Sequence, residues 1–137
     1  MLSLKTLKKL VAFSLILVVM LSLAACGKKY KDGTYSGEYI DDDKEKAVVE
    51  ITVKNDKIVD AKFTEYDQSG NLKDENYGKE GGNASWTAAQ LSLQESAKYP
   101  EKLLETQDVE EIDAISGATV SYLRFKLALK EALKKAK

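Results

Sequence analysis

Residues 47–54, AVVEITVK, alternate: Val49, Ile51 and Val53 fall on one side and Glu50, Thr52 and Lys54 on the other. A period of two marks a strand with one buried and one wet face. Asn55 and Asp56 follow, a dipeptide suited to a two-residue hairpin turn. Residues 57–66, KIVDAKFTEY, return as the partner strand, with Val59, Ala61 and Phe63 expected on the inner face. Upstream, residues 32–40, DGTYSGEYI, read as a turn into a first strand. Downstream the period lengthens. Trp86, Ala89, Leu93 and Ala97 recur at helical spacing, and Pro100 suits the first turn of a second helix over 100–107. Residues 120–137 carry an apolar stripe of Tyr122, Phe125, Leu129, Leu133 and Ala136. Lys130, Lys134, Lys135 and Lys137 crowd the end of that helix, where they complement its dipole. Strands first and helices after predict an α+β domain: a small antiparallel β-sheet, hairpin or meander, covered on one face by C-terminal helices.

Two segments break the pattern. Residues 41–46, DDDKEK, read as a solvated charged turn, because the spaced acid-and-glycine order of a calcium loop is missing. Residues 67–85 hold four glycines and few apolar side chains. That is long for a connection in a compact domain, so the segment is read as functional or mobile.

The N-terminus is of another kind. Lys5, Lys8 and Lys9 precede 16 uncharged residues, 10–25, which end in LAAC at Cys26. The run is shorter than the roughly 20 residues of a spanning helix and has the layout of a secretory signal. Its end resembles the lipobox of bacterial lipoproteins, which implies cleavage of residues 1–25 and acylation of Cys26. An uncleaved anchor helix is the alternative. Residues 26–31 then form a short lipidated tether and 32–137 the domain. The chain has 137 residues. Removing the leader leaves 18 bases against 22 acids, net −4, with both signs interspersed and no basic face, which disfavours nucleic acid as a partner.

Histidine is absent and no cysteine follows Cys26. Nucleophile systems built on imidazole or thiolate are therefore excluded, as are metal sites made from those ligands and any disulfide framework. No metal site and no catalytic residue is assigned. Chemistry on such a chain needs a borrowed cofactor.

The segment DAISGAT, Asp113 to Thr119, lies just before the last helix. The mouth of a helix offers unpaired N–H groups and a favourable dipole to an anion. Gly117 permits close approach to the backbone. Thr119 presents a hydroxyl beside that site, but a threonine without a base is a poor nucleophile. Any phosphoester on it has to be made by another enzyme. The structural alternative is that Asp113 and Ser116 merely cap the helix.

The run Asp113-Ala-Ile-Ser116-Gly117-Ala118-Thr119 resembles the D-x-x-(S/T)-G-A-T flavinylation motif of the FMN-binding domain family. That family includes the FMN-carrying subunits of the sodium-pumping NADH:quinone oxidoreductase and the Rnf complex. DGTYSGEY is similar to the opening of its small members, ITVKNDKIVDAKF to their first hairpin, and residues 113–133 to their closing motif and helix. The resemblance implies that a flavin transferase, using Mg²⁺, moves FMN from FAD onto Thr119 as a phosphoester, with Asp113, Ser116, Gly117 and Ala118 completing the site. The segment that in the respiratory subunits reads E-T-P-G-x-G is here NYGKEGGNASW. Trp86 is a candidate to stack on the flavin, or else an anchor of its own helix. Tyr35 has the same two readings, and Tyr99 reads as packing.

These features imply an extracytoplasmic, lipid-anchored redox carrier at the cell membrane rather than a complete enzyme. A quinol- or NADH-linked membrane donor would supply its electrons. The competing expectation is a surface binding or interaction lipoprotein that keeps the fold without flavin.

Overall fold

The computed structural model describes residues 3–6, 8 and 27–137. Cys26 and nearly all of the leader lie outside the described residues. Strands β1 (Gly33–Ile40), β2 (Lys46–Lys54) and β3 (Lys57–Tyr66) form an antiparallel meander in the order β1-β2-β3. The hairpin turns at Asn55 and Asp56, with φ of 51° and 65°, the left-handed pair that matches the twist of the strands it joins. Val49, Ile51 and Val53 are all buried, as their alternation predicts.

The partner strand departs from expectation in one register step. Val53 pairs with Ile58, but Thr52 pairs with Asp60, so Val59 is the extra residue of a β-bulge. Ile58 takes the inward position at 5% exposure and Val59 is turned out at 50%. Ala61 and Phe63 lie opposite Ile51 and Val49 and keep the inner face.

Three helices follow: α1 (Asn83–Ser96), α2 (Tyr99–Thr106), with a proline in its first turn, and α3 (Thr119–Lys135). Single 3₁₀ turns stand at Lys79–Gly81 and Val109–Glu111. α3 packs across β1 and β2, while α2 lies against β3. One face of the sheet is thus covered, and Phe125, Ala128, Leu129 and Ala132 of α3, with Ala136 just past its end, are fully buried on it. Phe125 meets Phe63 edge-on at 5.2 Å between ring centroids and stacks on Tyr99 at 5.6 Å. The approach is close enough to need a glycine: a Cβ at Gly37 of β1 would sit 2.1 Å from the Ala128 carbonyl oxygen and 2.3 Å from the Ala132 nitrogen.

α1 does not bury the stripe expected of it. Its side chains are mainly alanine, serine and glutamine, and only Ser96 is buried. Ala97 is exposed, and Trp86 is 37% exposed. Instead of anchoring the core, Trp86 donates its indole N–H to the Glu75 carbonyl at 2.9 Å, with the Lys79 ammonium 5.6 Å over its ring. The 67–85 segment is held by several such ties: Gln90 donates to the carbonyls of Asp74 and Tyr77, and Tyr66 bridges to Leu72.

The two ends of α3 are fixed differently. At its C-terminal end, Lys31 N–H donates to the Ala136 carbonyl at 2.7 Å, and Tyr30 N–H to Asp56 at 2.7 Å, beside the hairpin turn. The described chain is therefore fixed to the fold from Tyr30 onward. At the N-terminal end, the connector 41–46 reaches in. Asp41 and Glu45 both pair with Arg124, so the segment is not simply a solvated turn. Among the described residues, no helix is long and apolar enough to cross a membrane.

Candidate functional site

α2 ends in a left-handed Gln107, whose amide makes a reciprocal pair with the backbone of Ile58 at 2.8 Å in each direction. This ties the chain to β3 just before the motif. Asp108 then accepts from Glu110 N–H to start the short turn. From there the chain runs as a surface loop between two buried pins, Ile112 at 3% exposure and Ala118 at 1%. Asp113, Ser116, Gly117 and Thr119 are exposed.

Tyr99 holds the loop from beneath. It is fully buried, donates its hydroxyl to the Ala118 carbonyl at 2.9 Å and accepts from Ile115 N–H at 2.9 Å. The two anchored residues bracket Ser116 and Gly117. Burial pushes the Tyr99 hydroxyl above its usual range, so it stays a neutral donor. The expectation of a packing role for Tyr99 holds, with this clamp added. Gly117 has φ +87°, a left-handed conformation open chiefly to glycine, and its Cα faces Leu91 of α1.

Thr119 is the first residue of α3 and Ala118 its N-cap, with no side-chain capping bond. Capping by Asp113 or Ser116 is thereby set aside. The amides of Thr119, Val120 and Ser121 have no acceptor within the helix. Tyr122 N–H is the first to be satisfied, by the Ala118 carbonyl at 2.9 Å. Among the described residues, nothing hydrogen-bonds to the Ser116 or Thr119 hydroxyl or to the Asp113 carboxylate. An anion is the natural occupant of such a helix end.

A buried ionic cluster lies one turn below. Arg124 is 8% exposed and donates to Asp41 through Nε at 2.8 Å and Nη2 at 2.6 Å. It also pairs with Glu45, and with Glu65 at 3.3 Å. Ser121 donates to the other Glu65 oxygen at 2.9 Å, while Lys73 and Tyr77 donate to Glu45 at 2.7 and 2.9 Å. No buried side-chain donor or acceptor among the described residues is left unpaired. Burial alone would raise Glu45 and Asp41. The hydrogen bonds and charges of Lys73, Tyr77 and Arg124 at Glu45, and of Arg124 at Asp41, outweigh it and hold both carboxylates below their ordinary values. Burial, reinforced by Glu45, pushes the Tyr77 hydroxyl up to about 12.

A cavity of about 280 Å³ opens over this cluster, lined by Tyr77 and Lys73, by Leu93 of α1 and by Val120, Ser121 and Arg124 of α3. Leu91, Val120 and Leu123 are exposed, giving the surroundings of Thr119 an apolar character. The site thus joins an anion-accepting helix end, a free hydroxyl and a recess floored by the ionic cluster, with Ala89, Leu93 and Val120 on its walls. Tyr35 stands apart from it, its hydroxyl donated to the Lys31 and Asp32 carbonyls. Among the described residues no cluster of three or more ligating side chains is placed to hold a metal ion.

Sequence reasoning missed the cluster and the clamp. A signal existed for the first: Arg124 is the sole arginine of a lysine-rich chain. Arginine's planar fork is the residue of choice for buried pairing with carboxylates. Nothing local marks Tyr99 as the partner of residues 115 and 118.

A family model described as the FMN-binding domain matches residues 44–134. The fold resembles the crystal structure of the CPE2226 protein from Clostridium perfringens, with 33% identity, a TM-score of 0.60, and coverage of 78% of this chain and 88% of that one. A solution structure of a protein from Clostridium thermocellum is 35% identical over 77% of this chain and 91% of that one, at a TM-score of 0.43. No curated protein matches the chain. With the family model spanning most of the folded region, from the connector after β1 to the end of α3, the chain belongs to the FMN-binding domain family and is a flavin-binding protein.

Proposed function

We propose that the protein carries FMN covalently on Thr119 and serves as a membrane-anchored, extracytoplasmic electron carrier. The observation that carries the reading is the state of Thr119: exposed, uncommitted, and first in a helix whose N-terminal amides no side chain caps. The residues present fit the group. The amides of residues 119–121 suit a phosphodiester anion. Leu91 and Val120, exposed close to the motif, suit the face of a flat aromatic ring. Trp86, too exposed to be a core anchor, remains a candidate to stack on that ring.

The attachment requires a second enzyme. Thr119 Oγ forms the new bond to the FMN phosphorus of FAD, the anhydride P–O bond breaks, AMP leaves, and the hydroxyl proton passes to the transferase or solvent. No base in this chain stands within hydrogen-bond reach of that hydroxyl among the described residues, which agrees with modification in trans. Once bound, FMN supplies one- and two-electron transfer. The chain's own residues hold it: the Tyr99 clamp fixes the loop, and the Arg124 cluster fixes the first turn of α3. Covalency suits a cell-surface carrier, because a tethered flavin is not diluted away. Acylation at Cys26 would keep the domain beside a quinol- or NADH-linked donor.

The test is peptide mass spectrometry of the chain made with and without a flavin transferase. One FMN less one water is expected on Thr119, only when the transferase is present. Thr119→Ala should abolish the adduct and change stability by no more than about 0.5 kcal/mol, as for an exposed side chain. Flavin on Ser116, labelling by free FMN alone, or a purified native protein that is colourless would overturn the reading. The last result would favour the flavin-free surface lipoprotein.

A further inference from the structure

The helix α3 carries a second feature, which begins two turns after Thr119. An open groove of about 380 Å³ runs between α3 and the segment entering β1, with Leu127 and Leu133 on its floor. Its rim holds Lys29, Lys126, Lys130, Lys134 and Lys137. Two of these are answered: Lys126 pairs with Glu110 and Lys134 with Glu131, each at 2.6 Å. Among the described residues Lys29, Lys130 and Lys137 have no acidic partner. The patch is positive on a chain whose formal net charge is −1. It also lies where the chain emerges from the apolar N-terminal run. Cys26 stands four residues before Tyr30, the first described residue pinned to the fold, a chain reach of at most about 14 Å.

We infer that this groove is a docking face for an anionic bilayer surface, which sets the orientation of the anchored domain. The inference rests on the membrane-anchored reading above and would serve equally with an uncleaved anchor helix. Lysines on an apolar floor suit a headgroup layer, since their stems cover the apolar surface while the ammonium groups meet lipid phosphates. Docking by this face brings the C-terminal half of α3 to the lipid. Thr119 lies on the same side of the helix as Lys126 and Lys130, about 10 Å before Lys126 and about 22 Å before Lys134 at 1.5 Å per residue. The docked domain then holds the flavin site beside the headgroup layer, ahead of the lysine cluster.

The test uses the anchored full-length chain in phosphatidylcholine vesicles with and without phosphatidylglycerol. A thiol-reactive fluorophore is placed at Lys126→Cys, which spares the three unpaired lysines, or at Leu72→Cys, exposed near the end of β3 remote from the tether. A lipid-borne quencher reports proximity. Quenching at position 126 should require phosphatidylglycerol, weaken with salt, and be absent at position 72. Lys130→Gln and Lys137→Gln should each lower the docked-to-free ratio about fivefold. Equal quenching in neutral vesicles, equal quenching at both positions, or indifference to both lysine substitutions would overturn the docking face. Anchoring is read separately. Wild-type chain should stay with neutral vesicles and take up no thiol label at an acylated Cys26. If it fails there, the anchor reading falls, and salt-sensitive binding of that chain to phosphatidylglycerol vesicles alone would still uphold the face. Its failure to bind them would refute it.

Discussion

The two halves of α3 are built from opposite materials. From Phe125 to Ala136 the buried face is apolar, and it lies so near β1 that Gly37 has no room for a side chain. From Thr119 to Arg124 the buried positions are Ser121 and Arg124, held by the carboxylates of Asp41, Glu45 and Glu65. An apolar contact holds two elements together without fixing how one is turned against the other. A bidentate guanidinium and a chain of directed hydrogen bonds fix orientation. The half that needs only to be attached is greasy, and the half that presents Thr119 is keyed by polar contacts.

Breaking the key should cost most. Arg124→Met leaves three partly or fully buried carboxylates facing one another with only Lys73 to answer them. Loss of one partner of a buried pair costs about 3–5 kcal/mol, to be read from the midpoint of denaturant unfolding. Arg124→Lys should recover only part of this, since an ammonium cannot span Asp41 and Glu65 as a fork does. If the methionine variant proves as stable as wild type, the cluster is decoration and the contrast between the halves falls.

Gly37→Ala attacks the other half. The added methyl would press on the backbone of α3 at Ala128 and Ala132, where no rotamer can relieve it. A loss of about 3 kcal/mol, the upper part of the range for overpacking, is expected. Hydrogen exchange should sharpen the comparison, with protection falling first near Ala128–Ala132 in this variant and near Ser121–Arg124 in Arg124→Met.

Acid should act on one half alone. Asp41 and Glu45 ionise at lower pH in the folded protein than in the unfolded chain. Their contribution is therefore complete above the ordinary carboxylate pKa of about 4 and is lost as the pH falls through their folded values. Stability measured from pH 7 downward should be level until about pH 5 and then decline. The decline should be a fraction of the Arg124→Met loss and should largely vanish in that variant. An equal acid decline in wild type and variant would assign it to other carboxylates.

The same contrast explains what could be read from the chain. Val49, Ile51, Val53, Phe125 and Leu129 announce themselves because burial of apolar side chains imposes a period, and the period identifies face and element together. The bulge at Val59 is invisible to that logic, since one extra residue shifts the register without altering composition. Trp86 and Ala97 satisfy a helical period yet stay exposed, because α1 has too few large apolar side chains to bury. The motif residues 113–119 were found by their types and spacing. The cluster beneath them joins residues 41, 45, 65, 73, 77, 121 and 124, each ordinary in its own segment, and only the sole arginine hints at it. Long-range polar pairing leaves no local period.

Tyr99→Phe is the finest probe of the keyed half. The ring keeps its stack on Phe125 and its contact with Tyr122, so the apolar core is untouched. What goes is the hydroxyl that joins Ile115 N–H to the Ala118 carbonyl. The carbonyl still accepts from Tyr122 N–H, so the half-buried Ile115 amide alone is left without its partner. The cost should be about 1–2 kcal/mol, that of one unsatisfied donor. The effect on function should be disproportionate, because Ile115 and Ala118 bracket Ser116 and Gly117, and a loosened loop presents Thr119 less often in the geometry a transferase must meet. Flavin loading by a transferase should slow severalfold while thermal unfolding stays cooperative and the terminal helix stays protected. Arg124→Lys, compared at matched stability, separates the two supports of the site: it tilts the first turn of α3 but leaves the clamp intact. Should Tyr99→Phe load flavin at the wild-type rate, the clamp is a stability device only, and the presentation of Thr119 rests on the Arg124 cluster alone.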